Sequence, residues 1–247
     1  MDKSLSIIIP AYCESKNLRM AYESTLRALA KAQIYDYEII IVTNLRLDGS
    51  NDGTPDIADA IAGYDLNVRH IYNADYVNIG YKFRQSIRVA KKEYVTWFPG
   101  DNELTEDSMV EILKHTGQAD IIAVYTANQE VRALKRRLAS KGFIFICNLL
   151  FGLNLKYFNG HCIIRRKLVM AVPMSTDSFA FMAEILIYLI RSGVKYIEVP
   201  MRIRPITNIS SSFKLKSVIE CYGLLAKLFW KINILQQRVV ITDTPLT

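Results

Sequence analysis

The strongest constraint in this sequence is an alternation that runs through its first hundred residues. Short apolar runs at residues 5–10 (LSIIIP), 38–42 (EIIIV), 68–72 and 93–98 (EYVTWF) are separated by helical patterns at about residues 16–32, 55–61 and 81–90. In the first of those patterns Leu18, Tyr22, Leu26 and Leu29 share one face. Runs that are apolar at successive positions bury both faces, as parallel strands do when helices cover the sheet on two sides. The order β-α-β-α-β-α-β therefore predicts an α/β chain with a mostly parallel, doubly wound sheet. In such sheets, ligands sit beyond the carboxyl ends of the strands. With 247 residues, 51% of them hydrophobic, there is material for one large core, and the composition excludes fibrous and disordered classes.

Beyond residue 100 the pattern loosens. A fifth strand is predicted at residues 120–124, a basic helix at 132–141, a helix at 178–190 and a strand at 196–199. Residues 142–153 (GFIFICNLLFGL) are nearly all apolar but number only 12, short of the roughly 20 needed to span a bilayer. Residues 214–234 predict an amphipathic helix that carries Glu220, Lys227 and Lys231, suited to a membrane surface or to packing on the body. The four cysteines (Cys13, Cys147, Cys162 and Cys221) show no paired spacing and read as reduced thiols. Charge is divided unevenly: residues 1–129 hold 13 basic against 18 acidic residues, and residues 130–247 hold 18 against 6. This division points to a cation site in the first half and an anion-facing surface in the second, unless it is only a lopsided solvated surface. The opening segment, MDKSLSIIIPAYCES, turns polar too soon for a secretory signal.

Three polar clusters follow predicted strands. Pro10-Ala11-Tyr12-Cys13-Glu14 presents an aromatic and a carboxylate, the latter also a candidate helix cap. Asp48-Gly49-Ser50-Asn51-Asp52-Gly53-Thr54 allows close backbone approach to a ligand, with Asp48 available to a base or ribose. Its spacing approaches an EF-hand calcium loop, but that loop needs a helix before it and EIIIV is a strand. Asp101 and Glu103, after Pro99-Gly100, are two residues apart in a turn where both carboxylates can reach one cation, or else cap the next helix.

Taken together, SIIIPAYCESKNL, DGSNDGT, NIGYKFRQSIRVAKKEYVTWFPGDNE and SFAFMAEILIYLIRSGVKYIEVPMRIR resemble the family 2 glycosyltransferases of the GT-A fold, in particular the dolichyl-phosphate mannosyltransferase and polyprenyl-phosphate glycosyltransferase branch. The resemblance covers about residues 4–215. It implies a GT-A domain over residues 1–212, with a nucleotide-sugar half (1–129) and an acceptor half (130–212), and an amphipathic helix and tail over 213–247. It further implies a donor pocket lined by Pro10, Tyr12, Glu14, Asp48, Gly80 and Asp101, and Mg2+ or Mn2+ held by Asp101 and Glu103. Arg136, Arg137 and Arg204 would act with Asp101 in catalysis, and Arg132, Ser140, Ser212 and Lys214 would hold the acceptor phosphate. Glu184 falls on a helix beneath the site, and His161 follows an Asn159-Gly160 turn, where a packing role is the plainer reading. The chain departs from the family pattern in three places. Pro99 replaces the first Asp of DxD, TNLRL is inserted before DGS where a further acidic residue is usual, and Lys156 stands in place of an Asp.

The function so implied is an inverting, metal-dependent hexosyltransferase. It would use a GDP- or UDP-sugar donor and a polyprenyl phosphate, or a lipid-linked or surface glycan, as acceptor. The chain would be cytoplasmic and peripheral at the cytosolic face of an anionic membrane, with a homo-oligomer possible and no nucleic-acid partner. The departures at Pro99 and TNLRL motivate an alternative: a catalytically inactive binding or scaffold subunit.

Overall fold

The structure is a computed structural model that describes residues 3–204 and 215–239. Seven strands form one sheet: β1 (Ser4–Pro10), β2 (Asp36–Asn44), β3 (Val68–Asn73), β4 (Tyr94–Trp97), β5 (Ile121–Thr126), β6 (Ile163–Arg165) and β7 (Tyr196–Met201). Their spatial order is β3-β2-β1-β4-β6-β5-β7, with only β6 antiparallel to its neighbours. The helices are α1 (Leu18–Lys31), α2 (Thr54–Tyr64), α3 (Ile79–Val89), α4 (Glu106–Lys114), α5 (Leu134–Phe151), α6 (Arg166–Ala171), α7 (Phe181–Arg191) and α8 (Leu215–Phe229), the last running into a π-helical turn, Trp230–Ile234.

The isoleucine runs build the sheet as expected. Ile7, Ile8 and Ile9 pair with Ile39, Ile40 and Ile41, and all six are fully buried. Because successive strand residues face opposite ways, Ile7, Ile9, Ile39 and Ile41 pack toward α1, α2 and α4. Ile8 and Ile40 pack toward α3, α5, α7 and α8. Placing α8 in that second layer, through Leu224, Leu225 and Leu228, settles the amphipathic C-terminal segment as a helix packed on the body.

Several expectations need correction. The basic and apolar stretches at 132–141 and 142–153 fall largely in one helix, α5, which continues through Gly142 to Phe151 and stops at Gly152 with its left-handed φ of 59°. The helix expected from residue 178 begins at Phe181, after a turn closed by Ser178. β6 and α6 had no counterpart in the sequence reading. No helix among the described residues is long and apolar enough to cross a membrane.

The sheet's order reverses between β1 and β4, so the loops that leave these two strands diverge and open a crevice. At its base the two loops touch. A Cβ on Gly100 would lie 3.0 Å from the Ala11 Cβ, and the Gly100 N–H reaches the Pro10 carbonyl at 3.2 Å. Only glycine leaves that approach unhindered.

Candidate active site

A cavity of about 1200 Å3 opens above this crevice. Its first wall is the loop after β1. Tyr12 and Tyr76 meet edge to face with centroids 5.4 Å apart, and the Glu14 N–H donates to Thr54 Oγ1 at 2.8 Å, tying this loop to the start of α2. Asn17 donates to Glu14 Oε2 at 2.9 Å, yet burial, reinforced by Asp101 and Asp52, pushes the Glu14 carboxyl up to about 7. Beneath it lies Lys82 of α3, only 3% exposed, which donates from Nζ to the Ala11 carbonyl at 3.0 Å and lies 5.8 Å from the Tyr12 ring centre. Burial pulls its ammonium down to about 8.

The second wall is the loop after β4. Asp101 Oδ1 accepts the Glu103 N–H at 2.8 Å in a turn that Asn102 closes with a left-handed φ of 57°. Burial raises both carboxyls above their ordinary range, and Glu103 Oε1 and Asn102 Oδ1 are buried without a hydrogen-bond partner. The segment after β7 clamps this turn. The Arg204 N–H donates to the Glu103 carbonyl at 3.0 Å, and Arg204 Nη1 donates to the Asn102 carbonyl at 3.1 Å.

The third wall is basic. Arg132 Nη2 stands 3.9 Å from Glu103 Oε1, and its Nη1 donates to the Tyr157 hydroxyl at 3.2 Å. Arg136, one turn along, feels both acidic residues, but burial and then Arg132 hold its guanidinium below the usual range. An anion seated between the two arginines would relieve that repulsion. Farther along α5, Ala139, Ser140 and Phe143 also line the cavity, as do Cys221 and Tyr222 of α8.

Of the residues singled out in the sequence, Pro10, Tyr12, Glu14, Asp101, Glu103, Arg132, Arg136, Ser140 and Arg204 all line this cavity. Three do not. Asp48 is exposed in a turn closed on itself, accepting from Ser50 N and Oγ at 2.9 and 2.7 Å, while Asp52 lines the cavity in its place. Gly80 packs against backbone, donating to the Asp177 carbonyl at 2.9 Å. Arg137 is partly buried on α5 outside the lining. Ser212 and Lys214 lie outside the described residues. Glu184 is fully buried and anchors the preceding loop by accepting from Ser175 N, Ser175 Oγ and Thr176 N, a structural role. Lys82, Arg46 and Trp97 were not singled out, although all three line the cavity. A lysine in a helix ordinarily reads as solvated, and no sequence signal marks this one.

The donor set suits a divalent cation. Asp101 and Glu103 offer hard oxygens, one of them buried without a hydrogen bond, and a cation would offset the desolvation that raises both carboxyls. Among the described residues no group of three or more His, Cys, Asp or Glu side chains is placed to hold a metal. An ion here would complete its shell from a diphosphate and water, as Mg2+ commonly does.

A model of glycosyl transferase family 2 matches residues 6–172. Glycosyltransferase AglD of Haloferax volcanii is 28% identical over 104 residues, covering 42% of this chain and 16% of that protein. Glycosyltransferase GlyG of Streptococcus pneumoniae serotype 4 is 30% identical over 125 residues, covering 49% of this chain and 38% of its own length. The chain thus spans well under half of the curated relatives it matches. Among solved structures, the glucosyl-3-phosphoglycerate synthase of Mycobacterium tuberculosis bound to UDP superposes with a TM-score of 0.68 at 15% identity, covering 92% of this chain and 80% of that one. The same enzyme with Mn2+, UDP-glucose and phosphoglyceric acid gives 0.68 at 14%, with equal coverage. At such identities the likeness is one of fold, and it matches the GT-A arrangement, a mostly parallel seven-stranded sheet flanked by helices. With the family model spanning most of its length, this chain belongs to glycosyl transferase family 2.

Proposed function

We propose that the chain is an inverting hexosyltransferase that moves a sugar from a nucleotide-sugar to a polyprenyl phosphate at the cytosolic face of a membrane, as in the dolichyl-phosphate mannosyltransferase branch. One observation carries the reading. Two carboxylates raised by desolvation, Asp101 and Glu103, face two arginines, Arg132 and Arg136, in a cavity that Phe143 of α5 and Tyr222 of α8 also line. The acidic turn suits a metal-bound donor diphosphate, the arginines an acceptor phosphate, and the Phe143 and Tyr222 mouth a lipid chain. Supporting this order of parts, the synthase from Mycobacterium tuberculosis is described with Mn2+, UDP-glucose and a phosphate-bearing acceptor.

Mg2+ or Mn2+, held by Asp101 and Glu103, would supply Lewis-acid stabilisation of the departing diphosphate. The remaining work falls to the chain. Arg132 and Arg136 hold an acceptor phosphate oxygen against the anomeric carbon. As that oxygen forms its bond to carbon, the bond from carbon to the donor's diphosphate oxygen breaks, and the electron pair leaves with the nucleoside diphosphate. The acceptor enters already ionised, so no base need remove a proton, and catalysis rests on positioning and charge.

Membrane attachment is part of the proposal. Leu134, Leu138, Phe145 and Leu149 recur along one exposed stripe of α5, and Trp230, Ile234 and Leu235 are exposed just after α8. Lys135, Lys141 and Lys227 lie exposed on the same two helices. An apolar stripe among cations suits an anionic bilayer surface.

The test is transfer from radiolabelled GDP-mannose or UDP-glucose to undecaprenyl phosphate in vesicles, with Mn2+ or EDTA. Label should enter the lipid fraction only with metal, and Asp101→Asn should lower the rate at least about a hundredfold with the melting temperature kept. Transfer to a soluble glycan and none to the lipid would refute the acceptor. Failure of every donor to bind would refute the enzyme reading.

A further inference from the structure

In the lining of the same cavity is a group of side chains that the reaction above leaves without a task. Trp97, the last residue of β4, and His161, two residues before β6, are 8% and 9% exposed and pack edge to face with centroids 4.2 Å apart. Both line the cavity, as do Asn159, Phe181 and Met182. Trp97 Nε1, His161 Nδ1 and Asn159 Oδ1 are all buried with no hydrogen-bond partner. Buried polar atoms are nearly always satisfied, and an orphan carries the full cost of its desolvation. Three on the wall of one cavity form a pattern that a ligand can complete.

The chemistry of that ligand follows from the group. Burial, and after it the Arg132 charge, hold the His161 imidazole down to about 3, so the ring is neutral at any physiological pH. An indole N–H, a neutral imidazole and an amide oxygen offer one donor, one group of either sense and one acceptor, and none carries charge. Hydroxyl groups, each able to donate and accept, meet all three. Beside them, Phe181 lies 5.8 Å from Trp97, centre to centre, offering an apolar floor for the C–H face of a ring. The position suits a group attached to the donor's diphosphate. Arg132 spans the interval, standing 3.9 Å from Glu103 and acting electrostatically on His161.

We infer that Trp97, His161 and Asn159 form the subsite for the transferred sugar, and that it takes an uncharged hexosyl group in preference to a uronic acid. The inference rests on the nucleotide-sugar reading, and the experiment separates the two. Calorimetric titration of the full chain with Mn2+ would compare GDP with GDP-mannose and UDP with UDP-glucose and UDP-glucuronic acid. His161→Phe keeps the ring's bulk and removes both nitrogens, Trp97→Phe removes the indole donor, and His161→Asn restores a polar atom near the Nδ1 position. The phenylalanine variants should weaken nucleotide-sugar binding about tenfold, as expected for lost hydrogen bonds, and leave nucleoside diphosphate binding within about twofold. His161→Asn should recover part of the loss, and UDP-glucuronic acid should bind no better than UDP. Equal weakening of both ligands, unchanged binding of both, or tightest binding of the uronic acid would overturn the subsite while leaving the donor reading intact. If the parent bound no nucleotide at all, the donor reading would fall and this inference with it.

Discussion

Glu14 is where the cavity's electrostatics should be readable as stability. Its carboxyl is pushed from the ordinary 4.5 to about 7, first by burial and then by Asp101 and Asp52, with Asn17 and Lys82 opposing. The folded state therefore binds a proton more tightly than the unfolded state between about pH 4.5 and pH 7. Across that window, stability falls as pH rises, and above it the ionised carboxylate is a standing cost. A shift of that size corresponds to about 3.4 kcal/mol at 1.36 kcal/mol per unit; partial exposure of the side chain reduces this to roughly 1.5 kcal/mol. Glu14→Gln keeps the amide oxygen for the 2.9 Å bond from Asn17 and removes the ionisation. In urea denaturation at half-unit steps from pH 5 to pH 8.5, the variant should gain on the parent as pH rises. The difference should grow by about 1.5 kcal/mol and level off above pH 7.5. A parent-to-variant difference constant across the range would refute the reasoning, because titrating groups that Glu14 does not touch cancel in the comparison, and Lys82, the coupled cation, titrates only toward the upper end of the range.

Gly80→Ala places a Cβ 2.8–2.9 Å from the Asp177 backbone, which cannot yield as a flexible side chain would, so it should cost about 2 kcal/mol. Differential scanning calorimetry should show a fall of about 4–8 °C, with nucleotide affinity kept in the folded fraction. Glu184→Gln exchanges one carboxylate oxygen, such as the Oε2 that accepts from Ser175 N and Thr176 N, for an amide nitrogen that cannot accept. A loss of about 2 kcal/mol in urea titration is expected, with kcat unchanged at temperatures where the variant is folded. Phe145→Glu, in the exposed stripe of α5, should lower sedimentation with vesicles containing 30% phosphatidylserine about tenfold and leave binding of soluble nucleotide alone.

The sequence carried the sheet's first half because buried parallel strands write themselves as unbroken apolar runs, as Ile7 to Ile9 and Ile39 to Ile41 do. β6 could not be read this way. It is three residues long, and it exists because Tyr94 and Val95 on one side and Ile121 and Ile122 on the other complete its ladder, pairings 41 to 71 residues away in the chain. The same division runs through the site. Asp101 and Glu103 were legible because their spacing within one strand-end turn fixes their geometry locally. Lys82 was not, because only the packing of α3 beneath the first loop turns a helical lysine into a buried donor on the Ala11 carbonyl.

Asp48 shows how an insertion can move a role that local pattern seems to assign. With TNLRL ahead of it, the loop closes through the Ser50 N–H and hydroxyl on Asp48 itself, and the carboxylate faces solvent. Two other residues take up the space. Asp52 Oδ2 accepts the Ser15 N–H at 3.3 Å and holds the DGSNDGT turn against the first loop. Arg46, from the inserted segment, reaches the cavity wall, where its Nε donates to Cys13 Sγ at 3.1 Å. The inserted segment thus brings a cation, Arg46, to the cavity. Were the donor's base to bind along this first wall, Arg46 and Lys82, which line the cavity with Tyr12, would offer it donors, as a base with adjacent acceptors requires.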